Sequence, residues 1–95
     1  MGTYRLSVEA EADLGRIWLY GLREYGEAQA DKYYYGLIER FEKIAQQTYL
    51  YPAVDAIREG YRRSVYGVDS IYYRINGDTV EIIAIISRQD IKEIL

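Results

Sequence analysis

The sequence predicts an α+β fold: an antiparallel helical hairpin packed on one face of a mainly antiparallel four-stranded sheet, in the order β-α-α-β-β-β. Three observations carry that prediction. Apolar residues follow a two-residue period near the N-terminus, a helical period from about residue 8 to 47, and a two-residue period again beyond Gly60. One glycine, Gly26, interrupts the helical stretch, and helices joined by so short a turn must run antiparallel. Asn76-Gly77, between two β-rich runs, is the strongest short hairpin signal a sequence can carry. At 95 residues the chain has room for one domain, 1–95, built on one core.

The first strand is read from Thr3-Tyr-Arg-Leu-Ser-Val8, where Tyr4, Leu6 and Val8 share a face; it is short enough to be an edge. Ser7 then suits a helix N-cap. Ala10, Leu14, Ile17, Trp18, Gly21 and Tyr25 follow helical spacing, and Glu9, Glu11 and Asp13 sit near the positive end of the helix dipole. Gly26 is its C-terminal punctuation. The second helix, over 27–47, places Ala30, Tyr33, Tyr34, Leu37, Ile38, Phe41, Ile44 and Ala45 on one stripe. The stretch 48–57 holds the sole proline, Pro52, and reads as a connecting loop with its tyrosines folded inward. Gly60 to Tyr66 alternates, Gly67 interrupts, and Ser70 to Ile75 resumes the strand pattern. Thr79 to Ile86, TVEIIAII, is nearly all β-branched or apolar, as expected of a central strand buried on both faces. Residues 87–95, SRQDIKEIL, have the spacing of a short terminal helix.

Composition removes several kinds of chemistry. Without cysteine or histidine there are no disulfides, no thiolate or imidazole metal ligands and no histidine acid/base catalysis; no metal or cofactor is expected. A net charge of −3 is the wrong sign for gripping nucleic acid over the whole surface, so any such contact must be local. No apolar run is long enough for a membrane span and no signal-peptide core precedes Val8, so a cytoplasmic protein is expected. Twelve tyrosines stand beside one phenylalanine and one tryptophan, an excess suited to half-buried faces and partner interfaces.

Two groups of residues stand out. Arg58, Arg62, Arg63, Arg74 and Arg88 collect on the C-terminal half, a patch suited to phosphates or to an acidic partner. The two-residue period is expected to bring Arg62 close to Arg74 across the hairpin, and Glu59, Asp69 and Glu81 are the carboxylates available to pair with the arginines. Bond cleavage there would require Tyr72 or Tyr73 as base, and a phenol of pKa near 10 is poorly suited to that. The second group is Trp18 with Tyr33, Tyr34, Tyr35 and Tyr73. A Tyr-Tyr-Tyr run covers most of a helical turn, so it cannot be all core, and its exposed members offer a docking surface. Glu9, Glu11 and Asp13 are explained by the helix dipole.

Taken in order, these pieces resemble the RelE/ParE toxin superfamily of type II toxin-antitoxin systems over almost the whole chain. The matching residues are Tyr4-Arg-Leu-Ser, Ala10, Asp13-Leu14, Ile17-Trp18, Tyr20, Gly26, Ala30, Tyr34, Leu37, Ile44-Ala45, Pro52, Ile57 to Arg63, Gly67, Ile71 to Arg74 and Val80 to Ile83. The resemblance implies the fold already read from periodicity. It is nearer to the ParE-like branch, through Gly60-Tyr-Arg-Arg and Tyr73-Arg74, than to the RelE-like branch of ribosome-dependent mRNA endonucleases, which are usually basic. It therefore implies a toxin that inhibits DNA gyrase by binding, is not an enzyme, and is neutralised by a ParD-like ribbon-helix-helix antitoxin. The arginines would then be target contacts, and Trp18 with the tyrosines antitoxin contacts. The alternatives are a RelE-type mRNA endonuclease or a non-toxic antitoxin-binding regulatory module. The latter is motivated by Ile86-Ser-Arg-Gln-Asp90, where ParE-like chains usually carry a Leu-His pair.

Overall fold

In the computed structural model, which describes residues 2–87, strand β1 (Thr3–Leu6) leads into helix α1 (Val8–Tyr25), helix α2 (Glu27–Gln46) and strands β2 (Tyr61–Tyr66), β3 (Asp69–Asn76) and β4 (Thr79–Ser87). The expected terminal helix and Arg88 lie outside the described residues. The sheet order is β1-β4-β3-β2: β1 pairs parallel with β4, and the other two pairings are antiparallel. This is the expected α+β architecture, with β1 at one edge and β4 in the interior.

The helices form where the apolar period required them. Leu37, Phe41 and Ile44 lie on one stripe of α2 and are completely buried against Ile71, Tyr73, Val80, Ile82 and Ile85 of the sheet. Each side chain of that size contributes about 1.5–3 kcal/mol on burial. Leu14 and Ala10 bring α1 onto the same core. The turn between the helices is made by Gly26, at φ +91°, a conformation that disfavours any side chain. Both β-hairpins use two-residue loops, Gly67-Val68 and Gly77-Asp78, with the glycine first and at positive φ (+56° and +62°) while the second residue has negative φ. Glycine at the first of two loop positions is the preference of type II′ turns, whose twist matches that of the strands. The interruption at Gly67 is therefore a second hairpin of the same kind as that at Gly77.

Ser7 joins two layers. Its Oγ accepts from the Ala10 amide at 2.9 Å, capping α1, and donates to the Ile83 carbonyl at 2.7 Å. Ile83 is the residue skipped by the register shift between Tyr72 and Tyr73, so the hydroxyl satisfies a carbonyl at the irregularity. Past Leu6, no described strand flanks β4 on that side, and α1 supplies polar groups instead: Asp13 Oδ2 accepts from the Ile85 amide at 2.9 Å, and Arg16 lies 3.4 Å from the Ile85 carbonyl. Asp13 thus shields a strand edge as well as facing the helix dipole.

The loop after α2 behaves differently from expectation in part. Tyr51 packs against the core, but Tyr49 is 72% exposed. Across the loop, Arg63 donates its amide to the Pro52 carbonyl and Val54 to the Tyr61 carbonyl, which closes much of the outer edge of β2.

Candidate functional site

With both helices on one face of the sheet, the opposite face carries side chains that no described helix covers. Register assigns them. Arg5 opposes Glu81, Glu81 opposes Arg74, and Arg74 opposes Tyr61, so one row crosses all four strands. At adjacent-strand spacings of about 4.8 Å the row is about 14 Å wide. Arg5 Nη2 bonds Glu81 Oε2, and Arg74 Nε donates to Glu81 Oε1 at 2.5 Å. Glu81 is thereby nearly covered, its side chain 10% exposed, while both arginines remain more than half exposed. The two guanidinium groups hold its carboxyl below the usual carboxylate range. The row continues beyond Tyr61, whose ring carries the Arg58 guanidinium 5.6 Å from its centroid. Arg63 opposes Tyr72 and stands on the same face.

Arg74 and the unforeseen Arg5 therefore flank one carboxylate, with Arg63 and Arg58 farther along the same face. Three guanidinium groups are directed by the sheet and a fourth by a tyrosine, a surplus of positive charge on an acidic protein. Such a surface can hold an acidic protein segment or a phosphate backbone through bidentate contacts. Arg5 was legible in principle, since it alternates with the inward-facing Tyr4 and Leu6, but only the parallel β1–β4 pairing places it against Glu81.

Arg62 does not join this group, and the expectation that it approaches Arg74 is corrected by the register: Arg62 opposes Tyr73, on the helix side of the sheet. Its Nη1 donates to the Tyr51 carbonyl at 2.7 Å and its guanidinium stacks 4.9 Å from the Tyr49 ring centroid, pinning the loop. The cause lies two residues on. Ser64 is completely buried beneath α2, where its Oγ accepts from Arg40 at 2.9 Å, while Val65 turns outward. Arg40 also donates to the Val65 carbonyl at 2.8 Å and lies against the Tyr51 and Tyr66 rings.

The aromatic group divides as well. Tyr73 is corrected to a core residue: it is 0% exposed, its hydroxyl donates to the Thr48 carbonyl at 2.7 Å, and burial pushes its pKa up to about 12. Tyr33 is half-buried and clamps α2 to the first hairpin, donating to Asp69 Oδ2 at 2.6 Å with the Tyr66 carbonyl at 3.0 Å; burial, then the Asp69 carboxylate, raises its pKa. Trp18 is half-buried, its indole N–H donating to Asp31 at 2.8 Å across the helix hairpin. Tyr34 packs on the core and meets the exposed Tyr35 edge to face at 5.5 Å. Trp18, Tyr34 and Tyr35 thus keep surface to offer a partner, and Tyr73 does not. Among the described residues no group of acidic side chains is placed to hold a metal ion, and no helix is long and apolar enough to cross a membrane.

A helix hairpin laid on one side of a β1-β4-β3-β2 sheet is the fold of the RelE/ParE class of toxins. The model of the ParE toxin of the type II toxin-antitoxin system, parDE, matches residues 4–92. The chain belongs to that ParE toxin family. It is 38% identical over 86 residues to Toxin ParE1 of Caulobacter vibrioides, covering 90% of this chain and 88% of that one. It is 31% identical over 87 residues to Toxin ParE1 of Mycobacterium tuberculosis, covering 90% and 89%. Among solved structures, a chain described as the chromosomal ParDE TA system from P. aeruginosa superposes with a TM-score of 0.79 at 20% identity, over 92% of this chain and 96% of that one, and supports the fold.

Proposed function

We propose that this toxin is a cytoplasmic inhibitor of DNA gyrase that acts by binding and not by catalysis. The observation that carries the reading is the Arg5–Glu81–Arg74 arrangement on the sheet face away from the helices. A surface evolved for proton transfer needs a group titrating near neutral pH. Glu81, held as a carboxylate between two guanidinium groups, is a weaker base than a free one, and the chain contains no histidine. What the face offers is fixed positive charge in a defined row, which suits recognition of an acidic or phosphate-bearing surface such as a gyrase–DNA complex presents. Neutralisation by a ParD-like antitoxin of ribbon-helix-helix type belongs to the same proposal. It is supported by family membership and by the exposed aromatic surface of the helical hairpin, which would anchor an amphipathic tail.

The test is inducible expression with separate readouts of DNA damage and translation, paired with a supercoiling and cleavage assay on purified gyrase. The expected result is growth arrest with a DNA-damage response and trapped gyrase–DNA complexes, both weakened by Arg74→Ala. Gyrase left untouched at micromolar toxin removes gyrase as the target. Defined RNA fragments on ribosomes, lost in Arg74→Ala, would replace the proposal with the endonuclease reading.

A further inference from the structure

Helix α1 has two apolar faces, and the fold uses one. Ala10, Leu14 and Ile17 point inward. On the outer side Val8, Ala12, Gly15, Leu19 and Leu22 follow one another at alternating spacings of four and three residues, the spacing of a coiled-coil seam. Val8 is 86% and Leu19 46% exposed, Ala12 and Gly15 are exposed, and an open groove lined by Ala12, Gly15, Arg16, Leu19, Tyr20 and Arg23 runs along this side.

Gly15 supplies an independent observation. A glycine inside a helix weakens it relative to alanine, so it usually answers a local need for space. Gly21 has such a need, because a Cβ there would lie 3.3 Å from Ala30 at the α1–α2 crossing. At Gly15 a Cβ would meet no described atom within 4 Å, and the backbone is not left-handed. Nothing described inside the chain asks for this glycine, whereas a backbone approaching from outside would.

We infer that α1 pairs antiparallel with α1 of a second copy of this chain through the Val8–Ala12–Gly15–Leu19–Leu22 seam. Size and charge favour this occupant. With the crossing centred near Gly15, each Leu19 covers Ala12 of the other copy and the glycines meet where the backbones approach. The acidic start of one helix, at Glu9, lies beside the basic end of the other, at Arg23, twice over by symmetry. Arg16, near the centre, is already paired with Asp13 at 3.1 Å. A uniformly acidic partner helix would suit Arg16 and Arg23 but oppose Glu9 and Glu11, whereas a reversed copy sets Glu9 against Arg23 at both ends. The seam is about 22 Å long at 1.5 Å per residue, so the contact is smaller than a standard interface of about 1,600 Å² and the dimer is weak and concentration-dependent.

Sedimentation velocity of the purified chain across a wide micromolar range tests this. The expected result is a reversible monomer–dimer equilibrium that Leu19→Arg abolishes without loss of the far-UV circular dichroism of the folded chain. Glu9→Arg and Arg23→Glu should each weaken dimerisation about tenfold, and their combination should restore it. Gly15→Ala should raise the melting temperature of the monomer while weakening the dimer, a split that a purely structural role for the glycine would not produce. A wild-type chain that stays monomeric throughout overturns the inference, as does a charge-reversed double variant that fails to recover. A monomeric chain whose seam variants lose an antitoxin-derived helix overturns the second copy as occupant.

Discussion

Arg74 and Glu81 face each other across β3 and β4, with Nε of the arginine 2.5 Å from Oε1 of the glutamate, and Arg5 holds the other carboxylate oxygen from β1. The three residues tie three strands together on the face away from the helices. Glu81 also fixes the directions of two guanidinium groups without consuming them, since each retains free N–H donors for a partner.

This arrangement gives stability a signed pH dependence. The folded-state pKa of Glu81 lies below the ordinary glutamate value of 4.5, so its contribution is fully present above about pH 4.5 and is lost as pH falls through the folded pKa. Melting temperature measured from pH 7 to pH 3 should therefore fall less steeply below pH 4.5 in Glu81→Gln than in the wild type. Parallel acid limbs would remove the assignment.

Adjacent arginines should fail in different ways. Arg63→Ala, on the face away from the helices, is expected to change stability by no more than about 0.5 kcal/mol while reducing toxicity. Arg62→Ala loses a charged hydrogen bond to the Tyr51 carbonyl and a ring contact with Tyr49, and should cost about 1.5–3 kcal/mol. Urea denaturation beside a growth assay separates the two.

Alkaline pH should expose the buried phenols. Tyr73, with its pKa raised from 10.0 to about 12, and Tyr33, raised further, favour the protonated form in the folded state. Their stabilisation is present below pH 10 and is lost as pH rises through the folded values. Spectrophotometric titration should show late-titrating tyrosines that disappear in the Tyr33→Phe, Tyr73→Phe variant. Tyr73→Phe alone should cost about 1 kcal/mol through the lost bond to Thr48.

Two helical glycines should respond to alanine with opposite signs. Gly15→Ala should stabilise the isolated chain by about 0.5–1 kcal/mol. At Gly36 a Cβ would overlap the Tyr66 hydroxyl, and Tyr66 is held between the Tyr33 ring at 5.2 Å and Arg40. Gly36→Ala should accordingly destabilise by about 1–3 kcal/mol, as overpacking does. Thermal melts of both variants check the pair.

Much of the fold could be read from the chain because its signals are local. Ser7 as an N-cap, Gly26 as the helix break and the buried stripe of Leu37, Phe41 and Ile44 each follow from the conformational preference or spacing of a few neighbours. The hairpin at Gly67 was also local, but its Gly-Val loop carries a weaker signature than Asn-Gly, and it reads from sequence as a mere interruption. The aromatic group was harder. Tyr35 is exposed and Tyr73 buried because their elements meet different neighbours, and tyrosine suits either position.

By itself the sequence determined the order of elements, the inward stripe of each helix and the supply of arginines without any histidine to do proton chemistry. Tertiary structure alone decided which arginines act together. A two-residue period says that Arg62 and Arg63 lie on opposite faces, but it is blind to which face the helices cover. The apolar count in Tyr61-Arg-Arg-Ser-Val-Tyr66 even points the wrong way. That choice was made by α2, which needed a small residue beneath it and took Ser64, and by the parallel pairing of β1 with β4, which carried Arg5 to Glu81 across 76 residues of chain.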